Sequence, residues 1–177
     1  MCRCHLIRGW PVSINMILGT DIMDIGLNIL NNMRISLGDT VENITDSLVK
    51  NNINYTIPYS NSNKDGSSNV IIYIESYGVE LALQNGIASF IKTSNSKLNY
   101  IMQIHNNSAV EVLREIKNNL SNNFNVPVDK IRVDRFEAKT FNSIMSIPYS
   151  ETKKVKITLI MGINYSIFIE TIQLVDA

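Results

Sequence analysis

The chain has 177 residues, of which 45% are hydrophobic and 18% are charged, so it carries enough apolar side chains for one well-packed domain. Its 16 basic and 16 acidic residues balance, which argues against direct binding of nucleic acid, because such proteins show a basic surface. No apolar run reaches the roughly 18 residues that a membrane helix needs. We expect a cytoplasmic protein with no membrane partner.

The N-terminal segment MCRCHLIRGWPVSIN has no continuous apolar core and makes a poor signal peptide. Cys2, Cys4 and His5 offer at most three metal ligands at cramped spacing, whereas structural zinc sites use four ligands in spaced pairs. We therefore expect a flexible leader over residues 1–15, a single domain over residues 16–177, and neither a metal ion nor another cofactor.

The first predicted helix lies in the segment SLGDTVENITDSLVKNN. Asp39 is the expected N-cap, and Glu42 three residues later completes a capping-box pattern ahead of an apolar helix face. A strand, LNILNNMRISL, precedes this helix. Another strand, INYTIPY, follows it and is expected to end at Pro58.

Four apolar runs follow the polar loop SNSNKDGSSN and are joined by short connections: VIIYIES, VELALQ, IASFIKT and LNYIMQI. Asn85-Gly86, between the second and third runs, is typical of a type I′ hairpin turn, since both residues tolerate positive φ. Tyr77-Gly78 is a weaker turn signal of the same kind. The four runs are predicted to form an antiparallel meander.

A second helix is predicted after Ser108, which forms a capping box with Glu111. Asn122-Asn123 is expected to end this helix, and Pro127 prevents it from resuming. The apolar stripe of the helix is expected at Val110, Leu113, Ile116 and Leu120.

The remaining segments predict strands. DKIRVDRFEAK alternates like a charged edge strand, and KKVKITLIMG pairs with YSIFIETIQLV in a hairpin that turns at Gly162 and Asn164. Lys154 and Lys156 fall on the outer face of this hairpin, where lysines commonly protect an edge. The whole pattern predicts an α+β fold, in which two main helices pack on a mainly antiparallel sheet made of the meander and the C-terminal hairpin.

One tetrapeptide occurs twice, as Ile57-Pro58-Tyr59-Ser60 and as Ile147-Pro148-Tyr149-Ser150. The two predicted helix caps do not repeat at the same separation, so the match does not indicate an internal duplication. Each proline is expected to end a strand or to mark an edge.

Groups that could carry out catalysis are few. His105 stands at the predicted junction between the meander and the second helix, where a histidine is more often a surface residue than a general acid or base. The chain has no G-x-S-x-G, P-loop or G-x-G-x-x-G motif. Asp21 and Asp24 could bind a hard cation, but no third carboxylate nearby completes the oxygen shell. We predict no catalytic residues, no metal site and no enzyme activity.

A surface feature points to protein binding instead. Tyr73, Glu75 and Tyr77 alternate along one face of the predicted strand VIIYIESY. Tyrosines are enriched where proteins meet proteins, so these three residues are the candidate partner-binding site. The alternative is that a helix covers this face and the tyrosines only direct their hydroxyl groups outward.

The segment DIGLNIL…RISLGDTVENITDSLV resembles the early part of many bacterial toxin-immunity proteins, in which a short strand pair leads through Leu-Gly into a capped helix. The length, the α+β pattern and the many Ile and Asn residues, which AT-rich codons encode, are also similar to immunity proteins of contact-dependent growth-inhibition systems. The resemblance implies a cytoplasmic protein that binds a cognate toxin domain, often a nuclease, and occludes its active site. The matching residues are Leu37, Gly38, Thr40, Glu42, Ile44 and Leu48.

The balanced charge departs from the acidic surface that a mimic of nucleic acid would need, and it favours steric blocking or an interface of mixed charge. Two other functions stay open. A chaperone or assembly protein of a secretion or phage system would be favoured by a stable homodimer, and the oligomeric state is open. A small hydrolase or nuclease would use His105 with nearby carboxylates.

Overall fold

The fold is built on a nine-stranded antiparallel sheet, accompanied by a separate two-stranded sheet. The computed structural model describes residues 24–177 except residues 65 and 106. The predicted α+β class is confirmed. The helices are α1 (Val41–Lys50), α2 (Ser96–Asn99) and α3 (Ala109–Phe124). The strands are β1 (Gly26–Leu30), β2 (Met33–Ser36), β3 (Thr56–Ser62), β4 (Ser68–Ile74), β5 (Val79–Gln84), β6 (Ile87–Thr93), β7 (Tyr100–Gln103), β8 (Arg132–Glu137), β9 (Asn142–Pro148), β10 (Lys153–Met161) and β11 (Ser166–Asp176).

The strand order of the large sheet is β3-β4-β5-β6-β11-β10-β9-β8, and β7 pairs with the first part of β11. The predicted meander is therefore correct for β4, β5 and β6 but wrong for the fourth run. After β6 the chain forms the short helix α2, and β7 then pairs with β11 rather than with β6. The C-terminal hairpin of β10 and β11 is confirmed.

One face of the large sheet forms the core together with α1, α3 and the β1–β2 hairpin. Residues that pair directly across six neighbouring strands supply the centre of this core, and each is at most 1% exposed. Each such burial contributes roughly 1.5–3 kcal/mol relative to an exposed side chain. This row consists of Ile72, Leu81, Ile91, Ile172, Ile157 and Met145.

The N-cap of α1 is Thr40, so the prediction of Asp39 is wrong. The Asn43 N–H donates to Thr40 Oγ1 at 3.2 Å, which satisfies one free donor at the start of the helix. Asp39 instead accepts a hydrogen bond from the Ser36 N–H at 2.8 Å, in the turn that leads out of β2. Gly38 has a φ of 93° in this turn.

The capping box of α3 is confirmed, because the Ser108 N–H donates to Glu111 Oε2 at 2.8 Å and the Glu111 N–H donates to Ser108 Oγ at 3.3 Å. The helix continues through Asn122-Asn123 and ends at Phe124, so the predicted end is wrong. The stripe is also shifted, since Val110 is 76% exposed. The buried residues of α3 are Val112, Ile116, Leu120 and Phe124.

Several strand predictions need correction at their ends. LNILNNMRISL forms the β1–β2 hairpin rather than one strand, and β3 runs through Pro58 as far as Ser62. Asn85 and Gly86 have φ values of 53° and 77°, as a type I′ turn requires. The charged segment of β8 lies at the sheet edge as predicted.

Lys154 and Lys156 belong to β10, which lies between β11 and β9. The two lysines point away from the core as predicted, but they do not protect an edge, because β10 is an interior strand. Within the part of the chain that the structure describes, no helix is long and apolar enough to cross a membrane. The predicted leader over residues 1–15, including Cys2, Cys4 and His5, lies outside the described residues.

Candidate functional site

The three residues predicted as a binding site line one open cleft of about 710 Å³, which we call the tyrosine cleft. The cleft lies where α1 passes into β3 and where β4 ends, and residues of both segments form its walls. Its lining residues are Asn51, Asn52, Ile53, Asn54, Tyr55, Thr56, Tyr73, Glu75, Ser76 and Tyr77.

The first wall is held by the C-terminal end of α1. Asn52 adopts a left-handed conformation with φ of 54°, and its N–H donates to the Val49 carbonyl at 3.0 Å. The Ile53 N–H donates to the Leu48 carbonyl at 2.9 Å, which completes a Schellman motif. Because Ile53 is only 7% exposed, the backbone of this wall is anchored in the core.

The second wall follows from a turn rather than from strand alternation. β4 ends at Ile74, and residues Glu75–Tyr77 form a single 3-10 turn. The turn closes at Gly78, which has a φ of 58°, and a Cβ at this position would lie 2.7 Å from Ser94 Oγ. The premise that Tyr73, Glu75 and Tyr77 share one strand face is therefore wrong, although the turn brings all three to the same cleft.

The exposures of these side chains differ. Tyr73 is 38% exposed and Glu75 is exposed, whereas Tyr77 is half-buried and packs against the core. Tyr55 is not among the predicted site residues, but it lines the cleft in the other wall and is also half-buried against the core. The cleft therefore combines three tyrosine rings with amide groups and one carboxylate. Tyrosine and asparagine side chains of this kind bind proteins well, because they offer large contact areas and adaptable hydrogen bonds.

Tyr73 also belongs to the face of the large sheet that points away from the core, which we call the open face. The residues on this face are of mixed charge and are mostly part-exposed, and Glu80 lies directly beside Lys92. One row of directly paired residues on the open face consists of Tyr73, Glu80, Lys92, Thr171, Thr158, Ile144 and Arg135.

The other candidate groups lie apart from the cleft lining. His105 is exposed between β7 and α3, as predicted. Asp21 lies outside the described residues, and Asp24 binds Arg34, with Arg34 Nε donating to Asp24 Oδ1 at 3.0 Å. Ser36 Oγ also donates to this carboxylate. Among the described residues there is no group of three His, Cys, Asp or Glu side chains that could hold a metal ion.

Burial raises the pKa of Asp24, but the hydrogen bonds from Ser36 and Arg34 and the positive charge of Arg34 outweigh it and lower the pKa below 3.8. Asp24 and Arg34 line a second cleft of about 630 Å³, together with Ser36, Asp39 and Tyr149. The carboxylate is therefore ionised at neutral pH and engaged in a structural ion pair.

Comparison of the chain with protein-family models, with curated proteins and with solved structures finds no match.

Proposed function

We propose that this protein binds a bacterial toxin domain in the cytoplasm and neutralises it by covering its active site. The observation on which the proposal depends is the tyrosine cleft, which is lined by Tyr55, Tyr73 and Tyr77 together with the exposed Glu75. The similarity of the early segment to toxin-immunity proteins supports a toxin as the partner.

The cleft has the composition of a binding centre. Tyrosine side chains bury a large area at a small cost in conformational entropy, and they are enriched among the residues that dominate binding energies. The half-buried rings of Tyr55 and Tyr77 are already ordered by the core before a partner arrives. This preorganisation reduces the entropic cost of association and favours tight binding.

The open face supports steric blocking over charge mimicry. Glu80 pairs with Tyr73 of the cleft and stands beside Lys92, so charges of both signs lie next to the cleft. A partner with mixed charges can match such a surface, whereas a strongly basic active site would need an acidic one. The toxin is therefore inhibited because its active site is covered, in a complex without turnover.

The test begins with affinity capture by the full chain from a lysate of the native host, followed by expression of the captured domain alone and together with this protein. We expect one stoichiometric partner that is toxic alone and harmless when the two are expressed together. A captured domain that is harmless alone would contradict the proposal. Capture of several secretion or phage components instead would favour a chaperone.

The cleft itself is tested with the captured domain. Tyr73→Ala should weaken binding by about 30-fold, because a tyrosine at the centre of an interface typically contributes 2 kcal/mol or more. The control is Tyr165→Ala, since Tyr165 is 66% exposed on the β10–β11 turn and lies outside the cleft lining. Equal affinities of wild type and Tyr73→Ala would rule out the cleft as the binding centre.

A further inference from the structure

The strand β3 is an open edge of the large sheet. It is the last strand beyond β4, and within the described residues no further strand pairs with it. All seven of its residues, TIPYSNS, are exposed, and none carries a charge. Edge strands present backbone donors and acceptors to any chain that approaches in an extended conformation.

The hydrogen-bond pattern identifies which backbone groups face outward. The Asn63 N–H donates to the Ser67 carbonyl at 2.7 Å, so Asn63 faces the β4 side of the hairpin. Successive residues of an antiparallel strand direct their backbone groups to opposite sides. Asn61 therefore also faces β4, and the N–H and carbonyl groups of Ser60 and Ser62 point to the open edge.

The other edge of the sheet is protected against such pairing. β8 carries Arg132, Asp134, Arg135 and Glu137, and its pairing with β9 is interrupted by a bulge between Val133 and Arg135. Charged side chains and bulges are common means of blocking an edge. β3 has a bulge too, between Thr56 and Tyr59, and Pro58 lacks an N–H, so regular pairing is open from Tyr59 to Ser62.

The side chains beside this edge determine which side chains of an added strand would fit there. Tyr59 pairs with Ile71, which continues through Ala82 to Phe90 as an apolar row on the open face. Tyr59 is 45% exposed at the end of that row. An incoming strand would extend the row by placing an apolar or aromatic side chain beside Tyr59, because such cross-strand pairs stabilise sheets.

The edge is continuous with the tyrosine cleft. Thr56 is the first residue of β3 and also lines the cleft, where it pairs with Tyr73. A segment that lies along Tyr59–Ser62 therefore reaches the cleft at the start of the same strand.

We propose that β3 receives an extended segment of the partner protein as an added strand, which pairs with Ser60 and Ser62 and carries an apolar side chain beside Tyr59. This inference rests on the proposed function, because it describes how the same partner is held at the cleft. Addition of a strand to a sheet edge is a common mode of peptide recognition, in which the main chain gives affinity and alternate side chains give selectivity.

The probe is a displayed library of random peptides, selected against the full-length protein. We compare Ser60→Pro, which removes an outward N–H, with Ser60→Ala, which keeps it and removes only the hydroxyl group. Selected peptides should bind wild type and Ser60→Ala equally and bind Ser60→Pro about tenfold more weakly, since one hydrogen bond is lost. Circular dichroism confirms that both variants are folded.

Residue-resolved hydrogen exchange gives a second readout. When a selected peptide binds, the amides of Ser60 and Ser62 should become protected, whereas those of Tyr59 and Asn61 are already protected by β4. Selection that yields no binding peptide, or peptides that bind Ser60→Pro as well as wild type, would overturn the inference. Concentration-dependent protection of Ser60 and Ser62 without peptide would overturn it as well, because β3 would then pair two copies of this chain.

The two proposals can fail separately. If peptides bind through the Ser60 N–H but no captured domain is toxic, the added strand is supported and toxin neutralisation is refuted. If a toxin is neutralised but binds Ser60→Pro as tightly as wild type, the proposed function is supported and the added strand is refuted.

Discussion

The same tetrapeptide occupies two opposite environments in this protein. Ile57-Pro58-Tyr59-Ser60 lies on the edge strand β3, where Ile57 and Tyr59 are each 45% exposed. Ile147-Pro148-Tyr149-Ser150 ends β9, an interior strand, where Ile147 is fully buried and Tyr149 packs against the core. Each proline stands where prolines are tolerated, Pro58 on an edge and Pro148 as the last residue of a strand, as predicted.

The position of a strand in the sheet therefore determines what its side chains do. β9 has a neighbouring strand on each side, whereas among the described residues β3 has a neighbouring strand on one side only. The second copy therefore contributes to stability, and the first copy leaves an isoleucine and a tyrosine exposed at the sheet edge. The largest difference between the copies should appear when each loses its isoleucine.

Ile147→Ala should lower the free energy of unfolding by about 2–5 kcal/mol, because it opens a cavity in the core. Ile57→Ala should change it by less than about 0.5 kcal/mol, as is usual for exposed positions. Urea unfolding of the two variants measures the difference. Equal losses would show that the two copies are equally important for stability.

Replacing the last residue of each copy by proline should give a smaller difference in the free energy of unfolding. The Ser150 N–H donates to the Lys153 carbonyl at 2.9 Å, so Ser150→Pro should lower the free energy of unfolding by about 1–3 kcal/mol. Ser60→Pro should leave it within about 0.5 kcal/mol, because the Ser60 N–H points away from β4. Thermal unfolding compares the two. A large loss in Ser60→Pro would show that its N–H is bonded within the sheet.

The smallest effect concerns the ion pair near the second copy. Tyr149 lines the same cleft as Asp24 and Arg34, whereas β3 carries no carboxylate. Because the Asp24 side chain is 65% exposed, Asp24→Asn should cost at most about 1 kcal/mol at neutral pH. The folded pKa of Asp24 is lowered, so its stabilisation is present above the unfolded pKa near 3.8 and is lost as the pH falls through the folded pKa.

Urea unfolding of wild type and Asp24→Asn at a series of pH values measures this loss. The difference between the two proteins should be constant near neutral pH and should shrink below about pH 4. A difference that grows on acidification would contradict the lowered pKa.

Local signals in the sequence predicted the elements that local interactions form. The capping box of Ser108 and Glu111 and the Asn85-Gly86 turn depend on residues close in the chain, and both were predicted correctly. The prediction of the α1 N-cap was wrong because Asp39 and Thr40 are both good capping residues. The choice depends on Ser36, whose N–H binds Asp39.

Long-range pairing could not be predicted in the same way. The run that became β7 is apolar and follows β6, yet it pairs with β11, and nothing in its own residues specifies that partner. The predicted apolar stripe of α3 differs from the observed one because apolar residues occur at both Val110 and Val112. Only the position of the helix on the sheet determines that Val112 is buried.

The candidate site was predicted in part. Tyr73, Glu75 and Tyr77 do lie together, but a turn after Ile74 brings them together instead of strand alternation. The opposite wall was missed, although Asn51-Asn52 directly after a helix is a typical signal for a left-handed C-terminal cap. That these residues bind a partner stays a prediction.

The place of β11 in the sheet determines when the sheet can be completed during synthesis. β11 pairs with β10 on one side and with β6 and β7 on the other, yet every other strand of the described residues precedes it in the chain. While the ribosome is still making β11, the strands β3–β6 and β8–β10 are two separate groups, each with an open inner edge. Pairings of this kind between distant segments form slowly, and open edges are prone to aggregate. A newly made chain therefore remains vulnerable until β11 has been synthesised and joins the two groups into one sheet.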